Sequence, residues 1–181
     1  MKNKTTIHLV LLAIFAAISI VLVAFVRIPL IPVAPFLLYD MADIPIIIAT
    51  MLLGLPASLT VLFITAFIQA FLFGGNGFIG LIMHFVSSAG FMITLSLLYK
   101  RNKSFKSALA GLSLGTIVMT LIMIPMNYIF TVNFYGMPYE VLNNLIIPAI
   151  IPFNLIKGII NSIITLILIK SLLPFINNYI K

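Results

Sequence analysis

Residues 9–25 read LVLLAIFAAISIVLVAF. The stretch carries no charge and shows no alternation of apolar with polar positions. A membrane-spanning β-strand alternates with period two, whereas a helix crosses the hydrocarbon of a bilayer with about 20 apolar residues in a row. The same texture returns in residues 159–169, IINSIITLILI. Both stretches predict helices whose solvent is lipid.

Composition extends that reading to the whole chain. Hydrophobic residues make up 63% and charged residues 7% of the 181, too little polar surface to cover a water-soluble fold. The length allows a single domain, residues 1–181, of at most six or seven spans. A net charge of +7 would point to nucleic acid in a soluble protein. Here the ten basic residues lie mostly at the ends of apolar runs, so they report orientation in a bilayer and no nucleic-acid partner is expected. The absence of cysteine removes disulfide frameworks and thiolate metal or redox chemistry. The opening MKNK followed by a long apolar run resembles a secretory signal, but the run leads into further hydrophobic segments instead of a cleavage site.

Punctuation divides the chain. A first helix is expected from about Thr6 to Val26, ending at Arg27, and RIPLIPVAPF (27–36) then holds three prolines that forbid a regular helix. Asp43-Ile-Pro45 reads as a second helix start with Asp43 as its cap, and IIIATMLL runs on to a break at Gly54-Leu-Pro56. A third helix is expected over 56–73, ending at the turn Gly74-Gly75-Asn76-Gly77, and a fourth over 78–99. After the basic cluster KRNKSFK (100–106) come a fifth helix over 107–130, a polar and aromatic loop over 131–144, and a sixth helix over 147–173. Six helices put Lys2, Lys4, Lys100, Arg101, Lys103, Lys106, Lys170 and Lys181 on one side, which the positive-inside rule makes cytoplasmic. Fusing the second and third helices would separate Lys2 and Lys4 from the basic cluster. The fold class is therefore an all-α membrane bundle of six transmembrane helices with both termini cytoplasmic.

In this topology the acids Asp40, Asp43 and Glu140 fall on the extracellular side. Counting inward at about 1.5 Å per residue places Gln69, His84, Asn127, Asn154 and Lys157 within roughly 5 to 15 Å of the outer boundary. A lysine two or three turns inside an apolar helix is costly unless it snorkels to headgroups or faces a wet cavity or a partner. Asn154 lies three residues before Lys157 and shares its helix face. Gly158 admits a flat ligand or a neighbouring helix, and Pro148 and Pro152 free backbone carbonyls as acceptors. Asp40 and Asp43 read equally as a solvated loop charge, pairing with Arg27, and a helix cap. Asn127 reads equally as an interhelical hydrogen bond. His84 alone makes no metal site. Ala13 and Ala17 on helix 1, and Gly111 and Gly115 on helix 5, have small-xxx-small spacing suited to close helix contact.

The chain lacks the phosphate loop G-x-x-x-x-G-K-[ST], so it cannot drive transport by its own ATP hydrolysis. No acid lies within an expected helix beyond the start of the second, which leaves a carboxylate proton relay nothing to use. Ser87 and His84 have no third orienting group, and no nucleophile, base or acid cluster suits a membrane hydrolase or transferase. An enzyme is not expected.

The segments Tyr39-Asp-Met-Ala-Asp43-Ile-Pro45, Met123-Ile-Pro-Met-Asn127-Tyr128 and Ile151-Pro-Phe-Asn154-Leu-Ile-Lys157-Gly158-Ile, with the six-helix spacing, resemble the S components of energy-coupling factor transporters, and among these the riboflavin-binding members. The resemblance implies a multi-pass cell-membrane protein that takes riboflavin as transported substrate, with no resident cofactor. The vitamin would sit in the extracellular half beneath the loop between helices 1 and 2. Matching the motifs residue by residue, it implies ligand contact at Tyr39, Asp40, Met41, Asp43, Asn127, Asn154 and Lys157. Phe85 and His84 fall outside the matched motifs. It further implies a transmembrane coupling (T) subunit and two cytoplasmic ATPases as partners, with Ala13 and Ala17 at the contact. An S component for another vitamin and a stand-alone facilitator are the alternatives.

Overall fold

The computed structural model describes residues 4–180, with the backbone alone for residue 4 and for residues 172–180. The expected placements of Lys2 and Lys181, and of the Lys4 side chain, lie outside the described residues. The chain forms α1 (Lys4–Phe25), α2 (Asp43–Leu53), α3 (Leu55–Leu72), α4 (Gly77–Asn102), α5 (Phe105–Met126), α6 (Tyr139–Leu145) and α7 (Ile151–Ile180). A π-helical turn, Asn127–Val132, prolongs α5, and another, Ile146–Ile150, joins α6 to α7. With these turns included, five segments are long and apolar enough to cross a bilayer, and α2 is a shorter apolar helix beside them. The six helices read from the sequence are all present.

Gly54 separates α2 from α3 as expected. Its φ of 91° lies in the region that favours glycine, and Pro56 occupies the first turn of α3, where its missing N–H costs nothing. Every residue of α2 from Asp43 to Met51 is buried, because α1, α3, α4 and α7 all pack around it. Eleven residues give a helix of about 16 Å, roughly half the hydrocarbon thickness. The half of the bundle beyond the N-terminal end of α2 is therefore not filled by α2 itself.

Several boundaries differ from expectation. The loop expected over 131–144 is mostly helical, since the π turn carries α5 to Val132 and α6 begins at Tyr139 after Pro138. Proline at 125, 148 and 152 removes the i−4 bond at each site, and wider turns sit beside them. The fifth helix begins at Phe105 because Ser104 and Ser107 cap each other's backbone N–H reciprocally. The proline-rich loop after α1 is pinned by a short antiparallel ladder, β1 (Ile28–Pro29) with β2 (Leu38–Tyr39), in which Ile28 faces Tyr39.

Small residues close the bundle. A Cβ on Gly111 would lie 3.1 Å from Leu95 Cα, and one on Gly115 would lie 3.1 Å from the Phe91 carbonyl. The glycine stripe of α5 thus serves internal packing against α4. Ala13 and Ala17 face outward from α1, while Ala16 between them is buried.

Candidate ligand-binding site

The space above α2 is a cavity of about 430 Å³, within the range of small-molecule sites. Five polar side chains placed at one depth by residue counting, Gln69, His84, Asn127, Asn154 and Lys157, all line it. The loop after α1 contributes Arg27, Phe36, Leu37 and Asp40, and the turn between α3 and α4 contributes Gly74 to Asn76.

Lys157 anchors the floor. Its ammonium lies 3.0 Å from Asp43 Oδ2 and 3.7 Å from Asp40 Oδ2. It does not snorkel to the headgroups. The two acids are neither a helix cap nor a solvated charge. The capping position of α2 is Ala42, and no side-chain bond caps it. Asp43 is instead the first helical residue, and its Oδ1 accepts from Ser88 Oγ at 3.3 Å and lies 3.1 Å from His84 Nε2. Asp40 accepts from the Ala42 backbone N–H at 3.1 Å and from Gln69 Nε2 at 3.2 Å. Among the described residues Arg27 forms no ion pair, and its Nε donates to the Val23 carbonyl. Each carboxylate has three partners from the protein, so most of its lone pairs are already used. Asp40 and Asp43 fix the directions of Lys157, Gln69 and His84.

The two asparagines are oriented by their own helices. Asn127 Nδ2 donates to the Met123 carbonyl at 2.8 Å, and its Oδ1 accepts from Thr131 Oγ1 at 3.0 Å. The hydrogen bonds of Asn127 are thus intrahelical, not interhelical. Asn154 Nδ2 donates to the Ile150 carbonyl at 2.8 Å at the end of the second π turn, which leaves its Oδ1 as the atom available to a ligand. Gly158, one residue beyond Lys157, is pressed by a neighbouring helix: a Cβ there would lie 2.4 Å from Thr116 Cγ2.

Of the residues matched by motif, Asp40, Asn127, Asn154 and Lys157 line the cavity. Tyr39, Met41 and Asp43 are not among its lining residues. Asp43 stands behind Lys157. Tyr39 is buried, with its hydroxyl donating to Asn161 Oδ1 at 2.9 Å, and burial pushes its phenol up from 10.0 to about 12. Met41 packs against two apolar clusters. The motifs did not supply Gln69, His84 or Ser88. Ser88 follows His84 by one helical turn, a spacing that puts both on one face of α4.

The sequence pattern of the family described as ECF transporter, substrate-specific component, matches residues 8–169. The chain belongs to that family. A solved S component of a bacterial ECF transporter superposes with a TM-score of 0.80 at 32% identity, covering 94% of this chain and 98% of that one. The riboflavin transporter RibU of Staphylococcus aureus is 34% identical over 97% of this chain and 93% of its own length. RibU of Streptococcus thermophilus is 33% identical over 87% of this chain and 79% of its own length. The riboflavin transporter FmnP of Bacillus subtilis is 27% identical, covering 93% of each. As a substrate-specific component the chain is a multi-pass membrane protein and a part of a transporter, not an enzyme.

Proposed function

We propose that this S component captures riboflavin from outside the cell, with both termini cytoplasmic, and passes it inward in complex with a coupling subunit and two ATPases. One observation carries the reading. Asn127, Asn154 and Lys157 converge on a cavity above a half-length helix, with their directions set by Asp40, Asp43 and the π turns. An isoalloxazine edge presents two carbonyls flanking one N–H. Asn154 Oδ1 suits the N–H, and the ammonium of Lys157 and the second N–H of Asn127 suit the carbonyls. The names of the relatives from Staphylococcus aureus and Streptococcus thermophilus support the same ligand.

Detergent-purified protein titrated with riboflavin tests this reading. Quenching of the flavin fluorescence at one flavin per chain is expected, as is a yellow preparation from cells supplied with the vitamin. Colourless protein that leaves riboflavin fluorescence unchanged rejects the ligand, and a different vitamin would then be sought for the same cavity.

A further inference from the structure

The α4–α5 hairpin ends far from the cavity. α4 starts beside the turn that lines the cavity and runs 26 residues, about 39 Å, before Lys103 turns the chain into α5. Lys100, Arg101, Lys103 and Lys106 gather at that end, all exposed. The chain has three acids, and none is placed to neutralise them. Asp40 and Asp43 are buried around Lys157, and Glu140 lies in the first turn of α6. Among the described residues the four cations form no ion pair.

Helix stability accounts for only two of them. Lys100 and Arg101 occupy the last turn of α4, where a cation complements the free carbonyls. Lys106 is the second residue of α5, at the positive end of that helix, where a cation is unfavourable. Lys103 holds a left-handed φ of 46°, which asparagine or glycine adopts at less cost. The fold gains nothing from these two charges, so they call for an anion from outside the chain. The surroundings say which kind. Leu97 and Leu98 on α4, and Phe105 and Leu109 on α5, are exposed, so the apolar surface that meets lipid continues up to the cations. Only Lys103 and Ser104 separate the two helices, so no loop projects for a soluble partner to grip. The cations therefore stand at the level of the headgroups. We infer that this end of the hairpin binds an anionic phospholipid, with Lys103 and Lys106 on the headgroup phosphate and Phe105 among the upper acyl carbons. The reciprocal cap of Ser104 and Ser107 holds the turn in shape for it.

Native mass spectrometry of the intact protein in detergent tests this, with equal amounts of dioleoyl phosphatidylglycerol and dioleoyl phosphatidylcholine added. The acyl chains match, so the headgroup alone decides retention. Wild-type protein is expected to keep the anionic lipid at least about fivefold over the zwitterionic one. Lys103→Asn combined with Lys106→Gln should lose most of that preference, whereas Lys170→Gln, an exposed charge on α7, should keep it. Equal retention of the two lipids by wild-type protein overturns the inference, and that measurement does not depend on how any variant folds. A preference that survives the double substitution, or falls as far in Lys170→Gln, overturns it too. Wild-type protein without a headgroup preference, whose assembly with the coupling subunit and ATPases weakens on the same two substitutions, would replace the lipid by a protein contact.

Discussion

Lys157 and Asp43 form the tightest ion pair of the site, 3.0 Å between Nζ and Oδ2, with side-chain exposures of 10% and 4%. One ammonium serves two carboxylates, since Asp40 lies on its other side. Removing that ammonium strands both acids in a low-dielectric interior, which costs about 3 to 5 kcal/mol. Lys157→Met is therefore expected to lower the unfolding temperature sharply and to weaken riboflavin binding by two orders of magnitude or more. Adding Asp43→Asn to Lys157→Met should restore part of the stability and none of the binding. Thermal unfolding in detergent separates the two effects, and a double variant no more stable than the single one would deny the pairing its structural role.

Tyr39 ties the loop after α1 to α7 through its hydrogen bond to Asn161. Tyr39→Phe keeps the ring and removes the bond, leaving Asn161 Oδ1 without this donor, and should cost about 1 kcal/mol. The phenol also sets a pH limit. Its value in the folded protein, about 12, stands above the ordinary 10.0, so between these pH values the unfolded chain releases a proton that the folded chain keeps. Stability from this group is complete below pH 10 and falls as pH rises toward 12. Denaturation followed from pH 9 to 12 should show a loss in wild type that is smaller in Tyr39→Phe.

Much of this arrangement was legible in the sequence because it follows from local rules. The break at Gly54-Leu-Pro56 is turn chemistry, and the common depth of Gln69, His84, Asn127, Asn154 and Lys157 is arithmetic on a helix of fixed rise. Asp43 shows where such rules stop. At a helix start a carboxylate usually caps its own backbone, and only the position of Lys157, more than a hundred residues later, reveals that it does not. Met41 and Tyr39 lie beside Asp40 in the chain yet turn to apolar packing and to Asn161, because neighbouring residues in a loop point in different directions. The helical stretch over 139–145 read as loop because Tyr139, Glu140, Asn143 and Asn144 make it polar and aromatic, whereas the chain folds it as a short helix that begins after Pro138.

Gly158 carries a packing role that is separable from binding. Its Cα side faces Thr116 so closely that a Cβ would fall 2.4 to 2.9 Å from the Cγ2, Oγ1 and Cβ atoms. Gly158→Ala must push α7 from α5 and is expected to destabilise by about 1 to 3 kcal/mol. Lys157 and Asn154 ride on the same helix, so riboflavin affinity should fall with it. Replacing Gly54 by alanine gives a contrasting case: no atom lies within 4 Å of the new Cβ, and the whole cost comes from its φ of 91°. An unfolding temperature unchanged in Gly158→Ala would show that α5 and α7 have slack between them.

Ala13 and Ala17 lie far along α1 from the cavity and contribute nothing to its lining. Both are exposed, and exposed Leu9, Val10, Ile14 and Ile18 surround them, so the face is apolar with two shallow notches one helical turn apart. Lipid tails conform to any apolar relief, whereas a helix of another subunit can approach closely only where side chains are small. Replacing both alanines by leucine fills the notches without touching the core. The expected outcome is a protein with wild-type riboflavin affinity and stability within about 0.5 kcal/mol, but with uptake lost when it is reconstituted with the coupling subunit and ATPases. Retained affinity with unimpaired uptake would move the docking face elsewhere on the bundle, and lost affinity would mean that α1 supports the cavity after all.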